Sequence, residues 1–203
     1  MARLKTNILD AASGKVGNVL LYERNGVACM RSMPSHYRDK KSDKQLRQRQ
    51  KMSLIHGFIK PFRDLLKLTF FEKGSGRTAY QSAQAYNLKY AIAGEYPDQY
   101  VDKKFALLCK GDLPLADQIS CKVTTDEICI NWNNKVPIGA KANDLLIIML
   151  RVDEDRFDYI LTNELRSSGS YQFKNQFKTA HVDIWIAFRS VHDNKVSNSI
   201  YLE

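Results

Sequence analysis

The chain has 203 residues, of which 44% are hydrophobic and 26% charged, and it carries a net charge of +9. This balance excludes a disordered polymer, a collagen and a disulfide-dense miniprotein, and the length allows one large domain or two of about 100 residues. The longest apolar run, Leu145–Leu150, has six residues, far fewer than the ~20 that a membrane helix needs. We therefore expect no membrane insertion.

The N-terminus and the cysteines indicate a cytoplasmic protein. The first ten residues contain no apolar core followed by a small-residue cleavage site, so no signal peptide is predicted. The four cysteines, Cys29, Cys109, Cys121 and Cys129, show no C-x-x-C spacing. Reduced, structural thiols are the expectation for such a set.

Charge is distributed unevenly along the chain. Residues 1–104 carry 20 Lys and Arg against 9 Asp and Glu, whereas residues 105–203 carry 11 against 13. This asymmetry predicts two modules with different partners, residues 1–104 and residues 105–203. The densest basic stretch, Arg31–Lys51, is suited to nucleic acid, an acidic protein surface or anionic lipid, and a solvated helix face is the alternative.

A β-hairpin is predicted near the N-terminus, where strand-like runs over residues 15–24 and 27–33 flank Asn25-Gly26. Asn-Gly favours a type I′ turn because both central residues need positive φ. A lone two-stranded hairpin is marginal in water. We therefore expect it to pack on helices, join a larger sheet or pair with another chain, with residues 1–14 as an extended arm.

Two helices are predicted after the hairpin. Ser42-Asp-Lys-Gln45 has the pattern of a capping box for the first helix, which Pro61 should kink or restart. Thr78-Ala-Tyr-Gln81 has the same pattern for the second, which Gly94 should end. The first helix has an apolar stripe at i, i+3, i+4 spacing, formed by Ile55, Phe58, Ile59, Phe62, Leu65 and Leu66.

The same helix face carries cations toward its N-terminus. Lys51, Arg47, Lys44 and Lys40 follow one another at helical spacing and continue the line of the apolar stripe. We call these four residues the basic ridge. Its position predicts a helix that is buried at its C-terminal end and projects at its N-terminal end, toward a polyanion or the acidic surface of a neighbouring subunit.

The C-terminal half is predicted to be all-β. Its β-rich runs are short and separated by turn residues, which is typical of a Greek-key sandwich. Residues 145–150 are apolar without alternation, so this strand is expected to be buried on both faces. The seven runs are residues 118–123, 127–132, 144–152, 156–161, 170–173, 181–190 and 196–202.

Two segments of this half resemble fibronectin type III domains. Ile128-Cys-Ile-Asn-Trp132 resembles an early core strand, and Val182–Ser190 followed by Asp193–Ser199 resembles the closing hairpin. The resemblance implies a fibronectin III/Ig-like sandwich and no particular activity. The expected fold class is therefore α+β, with an N-terminal β-hairpin plus helices and a C-terminal all-β sandwich.

The whole chain resembles an uncharacterised family met in Bacteroidota-type bacteria. Its N-terminal pattern is also similar to small proteins encoded among phage structural genes. The resemblance implies a virion-like or other self-assembled particle and brings no catalytic residue. The motifs that carry it are Gly14-Lys-Val-Gly-Asn18, Asn25-Gly26, Arg31-Ser-Met-Pro34, Ser42…Gln45…Arg49 and Lys195-Val-Ser-Asn-Ser-Ile-Tyr201.

The common catalytic motifs are missing from the sequence: the P-loop, the dinucleotide-binding glycines, the zincin helix and the serine-hydrolase elbow. We therefore expect no enzymatic activity, no cofactor and no metal site. The leading hypothesis is a structural protein that self-assembles into a phage-like, tubular or filamentous particle, in the cytoplasm or in a virion. A cytoplasmic nucleic-acid-binding protein and an adhesion or recognition module are the alternatives. The residues predicted to contact RNA, DNA or a neighbouring subunit are Arg31, Arg38, Lys40, Lys41, Lys44, Arg47 and Lys51.

Overall fold

The computed structural model describes residues 2–3, 13–24, 26–35, 39–70 and 76–202. The chain divides into two compact units, Met1–Ser42 and Asp43–Glu203. Helices and antiparallel sheets are both present, which confirms the α+β class.

The first unit is a four-stranded antiparallel sheet of β1 (Ala2–Arg3), β2 (Gly14–Val16), β3 (Val19–Arg24) and β4 (Val27–Ser32), in the order β1-β4-β3-β2. The predicted hairpin is β3–β4, with Arg24 paired to Val27 and Gly26 at φ +75°. Asn25 lies outside the described residues. The hairpin was expected to pack on helices, join a larger sheet or pair with another chain. Among the described residues it is part of a larger, four-stranded sheet.

The run over residues 15–24 is two strands and not the single strand expected. Gly17 has φ +59° and breaks the run, and Val16 pairs back onto Val19. A glycine with positive φ at the first central position is what a type II′ hairpin turn requires. Of the expected arm, Ala2–Arg3 pair with β4 of the same chain, and residues 4–12 lie outside the described residues.

The helices of the second unit follow the predicted pattern closely. Helix α1 spans Asp43–Ile59, a 3-10 turn spans Lys60–Phe62, and α2 spans Arg63–Thr69, so the chain restarts at Pro61 as predicted. Helix α3 spans Ala79–Tyr90, and its capping box between Thr78 and Gln81 is present. The predicted end at Gly94 is wrong, since the helix stops at Tyr90 and Gly94 turns a short hairpin of β5 (Ile92–Ala93) and β6 (Tyr100–Val101).

Seven further strands form two antiparallel sheets that pack face to face. The orders are β11-β8-β7 and β10-β9-β12-β13. Ile128 and Ile130 of the smaller sheet lie in one core with Ile148 and Ile186 of the larger sheet. The strands are β7 (Ser120–Val123), β8 (Glu127–Asn131), β9 (Leu145–Arg151), β10 (Phe157–Leu165), β11 (Ser170–Lys174), β12 (Asp183–Arg189) and β13 (Ile200–Leu202).

The helices cover the outer face of the larger sheet and give this unit three layers. Trp185 of β12 packs edge-on against Phe58 of α1, with 5.6 Å between ring centroids. Its indole N–H donates to the carbonyl of Lys103 at 3.0 Å. The predicted double-sided burial of residues 145–150 is confirmed, because Leu146–Leu150 are all buried. The helices and the larger sheet together form a second hydrophobic core. Its buried residues include Ile55, Ile59, Phe62, Leu65, Leu66, Ile147, Met149 and Ala187.

The domain boundary therefore differs from the one expected. A boundary between residues 104 and 105 falls inside the second unit, because the helices and the larger sheet share one hydrophobic core. Charge composition could not reveal this, since the sharing depends on apolar side chains on both sides of the boundary.

Candidate functional site

Three residues of the basic ridge lie on α1. Lys44, Arg47 and Lys51 are spaced i, i+3 and i+7, which places them along one side of the helix. Lys44 and Arg47 are exposed, and Lys51 is partly buried. Ile55 and Phe58 continue the same side and are buried. The prediction of a helix that leaves the core toward its N-terminus is confirmed. We call Lys44, Arg47 and Lys51 the α1 cations.

The fourth member of the basic ridge does not belong to the helix. Helix α1 begins at Asp43, and Lys41 has φ +46°, so the chain is not helical between Lys40 and Lys44. Lys40 and Lys41 are both exposed, and the backbone N–H of Lys41 donates to the carboxylate of Asp39 at 3.1 Å. A left-handed residue interrupts the i, i+4 spacing, so Lys40 is removed from the predicted line.

The α1 cations lack acidic partners within the described part of the chain. Lys44 also lies in the first turn of α1, where the helix dipole is positive and a cation costs about 0.3–1 kcal/mol. Asp43 in the first turn offsets part of that cost. A bound polyanion would stabilise the α1 cations and the helix end together.

A second group of cations lies on one face of the sheet in the first unit. Lys15 pairs with Leu20 and Leu20 with Arg31, so the three form one row across β2, β3 and β4. Arg24 lies on the same face by the period-two alternation of a strand. Tyr22 lies between Leu20 and Arg24, and the Arg31 guanidinium carbon is 5.9 Å from the centre of its ring. We call Lys15, Arg24 and Arg31 the sheet cations, and all three are exposed.

Of the sheet cations, only Arg31 was among the predicted site residues. A single strand over residues 15–24 would place Lys15 and Arg24 on opposite faces, and the turn at Gly17 brings them to the same face. Counting alternation outward from that glycine would have placed all three on one face. Arg38 lies outside the described residues, and Arg31, Lys40 and Lys41 belong to a different unit from the α1 cations.

The opposite face of this sheet is apolar. Val16 pairs with Val19, and Leu21 pairs with Met30, so the four share one face. Val16 is 67% exposed and Val19 36%. Among the described residues of the first unit, only Leu21 and Cys29 are buried. Strand β2 forms one edge of the sheet, and all three of its residues are exposed.

The thiols are held in their unreactive form where burial is deep. Burial raises the pKa of the Cys109 thiol to about 12 and that of Cys121 to about 11. A protonated thiol is neither a good nucleophile nor a metal ligand. Across the described ranges, no three His, Cys, Asp or Glu side chains group as a metal site would require, and no helix is long and apolar enough to span a membrane.

Comparison with known proteins identifies the family and nothing more specific. No curated protein and no solved structure matches the chain. A family model matches residues 11–203, which is nearly the whole chain and includes both units. The chain belongs to DUF6266, a family of unknown function.

Proposed function

We propose that this chain is a non-enzymatic structural protein that self-assembles into a phage-like, tubular or filamentous particle. In this proposal the first unit joins neighbouring subunits, and its cations together with the α1 cations contact nucleic acid. The second unit supplies the rigid body of the subunit. The assembled particle would reside in the cytoplasm or in a virion.

The observation that carries the proposal is how few side chains are buried among the described residues of the first unit. Domains of about 40 residues bury too little surface to fold alone and usually need disulfides, metals or oligomerisation. This unit spans 42 residues, Cys29 is a free thiol, and the described residues bury only two side chains. Its apolar face and its open β2 edge are both suited to a second copy of the same sheet.

The second unit has the strand order of a Greek-key sandwich, and this order supports a fibronectin type III-like assignment. Hairpins join β7 to β8, β9 to β10 and β12 to β13, and the other connections cross between the two sheets. A sandwich of this kind is a rigid scaffold that assigns no activity by itself. The helical layer on its larger sheet makes it a broader body than a bare sandwich.

The backbone N–H of Lys15 allows a test of whether subunits pair through the edge strand β2. The pairs Val16–Val19 and Gly14–Leu21 lie on either side of Lys15, and hydrogen-bonded pairs alternate with non-hydrogen-bonded ones from a two-residue turn. The Lys15 N–H therefore points to the open edge. Lys15→Pro removes this donor and blocks addition of a strand, whereas Lys15→Ala keeps the donor and serves as the matched control.

We expect the wild-type protein to form large homo-oligomers by light scattering and electron microscopy. Lys15→Pro should shift the distribution to small species, and Lys15→Ala should leave it unchanged. A monomeric wild-type protein at high concentration contradicts the proposal. Equal particle size for Lys15→Pro and wild type would show that β2 is not the subunit contact.

Nucleic-acid contact is tested by salt dependence. Each phosphate contact contributes about 0.9 to the log–log salt slope for duplex DNA and about 0.7 for single strands. Replacing all three α1 cations by Ala should lower the slope by about 2 to 3 for RNA and DNA of unrelated sequence. The matched control is Lys122, Lys135 and Lys174 to Ala, which removes the same charge from exposed positions of the sandwich.

Three results distinguish the roles of the α1 cations. A lower slope for the α1 triple variant alone supports nucleic-acid contact. Wild-type binding with loss of large particles would assign the α1 cations to a subunit contact. If the α1 variant and its control behave alike in both assays, the α1 cations are only a solvated face of the helix.

A further inference from the structure

A cleft of about 380 Å³ lies on the helical side of the larger sheet. The C-terminal end of α2 forms one wall, and Ile147 of β9 and Leu161 of β10 contribute to another. The end of β12 and residues 194–196 of the following loop complete the lining. The volume lies in the range of small-molecule sites, about 300–1,000 Å³.

The charged side chains that line this cleft are cationic. Among the described residues, Lys67, Arg189 and Lys195 line it and no Asp or Glu does. Lys67 is compensated, because its ammonium lies 2.7 Å from the carboxylate of Asp64. Arg189 and Lys195 have no ion-pair partner within the described part of the chain. Two positive charges without an acidic partner among the described residues therefore line the same cleft.

Arg189 contributes a buried donor to this region. Its side chain is partly buried, and its Nε is a buried nitrogen with no hydrogen-bond acceptor in the described residues. Leaving a donor on a buried nitrogen without an acceptor is costly. Neighbouring Ser190 is buried, and its oxygen accepts from the N–H groups of His192 and Asp193 at 3.3 and 3.4 Å. The Ser190 hydroxyl hydrogen has no acceptor among the described residues.

Four aliphatic side chains line the cleft, together with Thr69 and Asn194, and they indicate an apolar part of the ligand. Ile147 is fully buried, and Val196 is 8% exposed. Leu68 is 61% exposed and Leu161 36%, although both are large aliphatic side chains. A ligand with an apolar body would cover these two leucines, whereas an inorganic anion would leave them in water.

We propose that this cleft binds a small organic carboxylate with an aliphatic or aromatic body. The carboxylate pairs with the guanidinium of Arg189 and the ammonium of Lys195, and the body contacts Leu68 and Leu161. A carboxylate suits the guanidinium because it accepts two parallel N–H donors. The site is independent of self-assembly and of nucleic-acid binding, since it uses none of the residues assigned to either.

The probe is octanoate. Its binding to the full-length protein is measured by titration calorimetry, and its effect on the melting temperature is measured by thermal unfolding. Octanamide is the neutral counterpart of the same shape, and inorganic phosphate is an anion without an apolar body. We expect octanoate to bind at one site per chain and to raise the melting temperature. Octanamide and phosphate should each bind at least tenfold more weakly.

Variants locate the binding. Lys195→Ala lies in an exposed loop and should fold normally, and we expect it to weaken octanoate binding about tenfold. Arg189→Gln should weaken it further, and Lys174→Ala, an exposed cation of the smaller sheet, should not change it. Wild-type affinity in Lys195→Ala and Arg189→Gln overturns the proposal. Equal binding of octanamide, equal binding of phosphate, or no binding of octanoate overturns it as well.

Discussion

The buried ion pair between Arg166 and Asp144 offers a stringent test of how the second unit is held together. The two side chains are 0% and 1% exposed, and Arg166 Nε lies 3.2 Å from Asp144 Oδ2. Arg166 also donates to the carbonyl of Pro114 at 2.7 Å and lies 4.1 Å above the ring of Phe188. It thus joins the segment before β7, the start of β9 and the end of β12.

Replacing Arg166 by Met keeps the volume and removes the charge. Asp144 then remains buried with no cation beside it, and breaking a buried pair in this way costs about 3–5 kcal/mol. The urea concentration at the unfolding midpoint, measured by tryptophan fluorescence, should fall by about 1.5–2.5 M if the unfolding free energy depends on urea with a slope of about 2 kcal/mol/M. The matched control is Arg156→Met, because Arg156 pairs with Asp153 at 2.7 Å on the surface. That change should leave the midpoint almost unchanged.

The pH dependence gives this prediction a sign. A buried carboxylate that has lost its cation is stabilised when it takes up a proton. The difference in unfolding free energy between Arg166→Met and wild type should therefore narrow as the pH falls from 7 to 4. The double change Arg166→Met with Asp144→Asn should cost less than Arg166→Met alone. A deficit as small as that of Arg156→Met, or one independent of pH, would refute the reasoning.

Three further predictions concern the core that the helices and the larger sheet share. A fragment of residues 43–203 should fold alone, whereas a fragment of residues 105–203 should aggregate because Trp185 loses its helical cover. Gel filtration and circular dichroism of the two fragments test this, and a well-folded monomer of residues 105–203 would contradict it. Phe58→Ala should cost about 3–5 kcal/mol of unfolding free energy by urea titration, since Phe58 packs on Trp185 in this core. Because burial raises the pKa of Cys109 from its ordinary value of 9.0 to about 12, raising the pH from 9 to 10 should lower the unfolding free energy of wild type by about 1 kcal/mol relative to Cys109→Ala, and equal pH profiles would refute it.

Local patterns were sufficient to predict the elements whose signals are local. The α1–α2 stripe, the restart at Pro61 and the capping box at Thr78 are present as expected, because each depends on residues within one or two turns. The β3–β4 hairpin follows from the same kind of signal. The turn at Gly17 was also visible in principle, since glycine followed by Asn between apolar runs suits a type II′ turn.

Long-range placement could not be predicted. The apolar run Leu145–Leu150 indicates burial on both faces, yet the run does not say which element covers the second face. The cover comes from α1 and α2, about 80 residues earlier in the chain. The cleft around Arg189 was invisible for the same reason, because its lining comes from four separate parts of the chain.

The double-sided burial of β9 and β12 also bears on how the protein is made. Each strand has five consecutive buried apolar residues, the composition of segments that aggregate when left exposed. Helix α3 ends at Tyr90 and β9 begins at Leu145, so at about 5–20 residues per second the helices leave the ribosome roughly 3–11 s earlier. The layer that covers these strands is therefore complete before they emerge, and chain order itself protects them during synthesis.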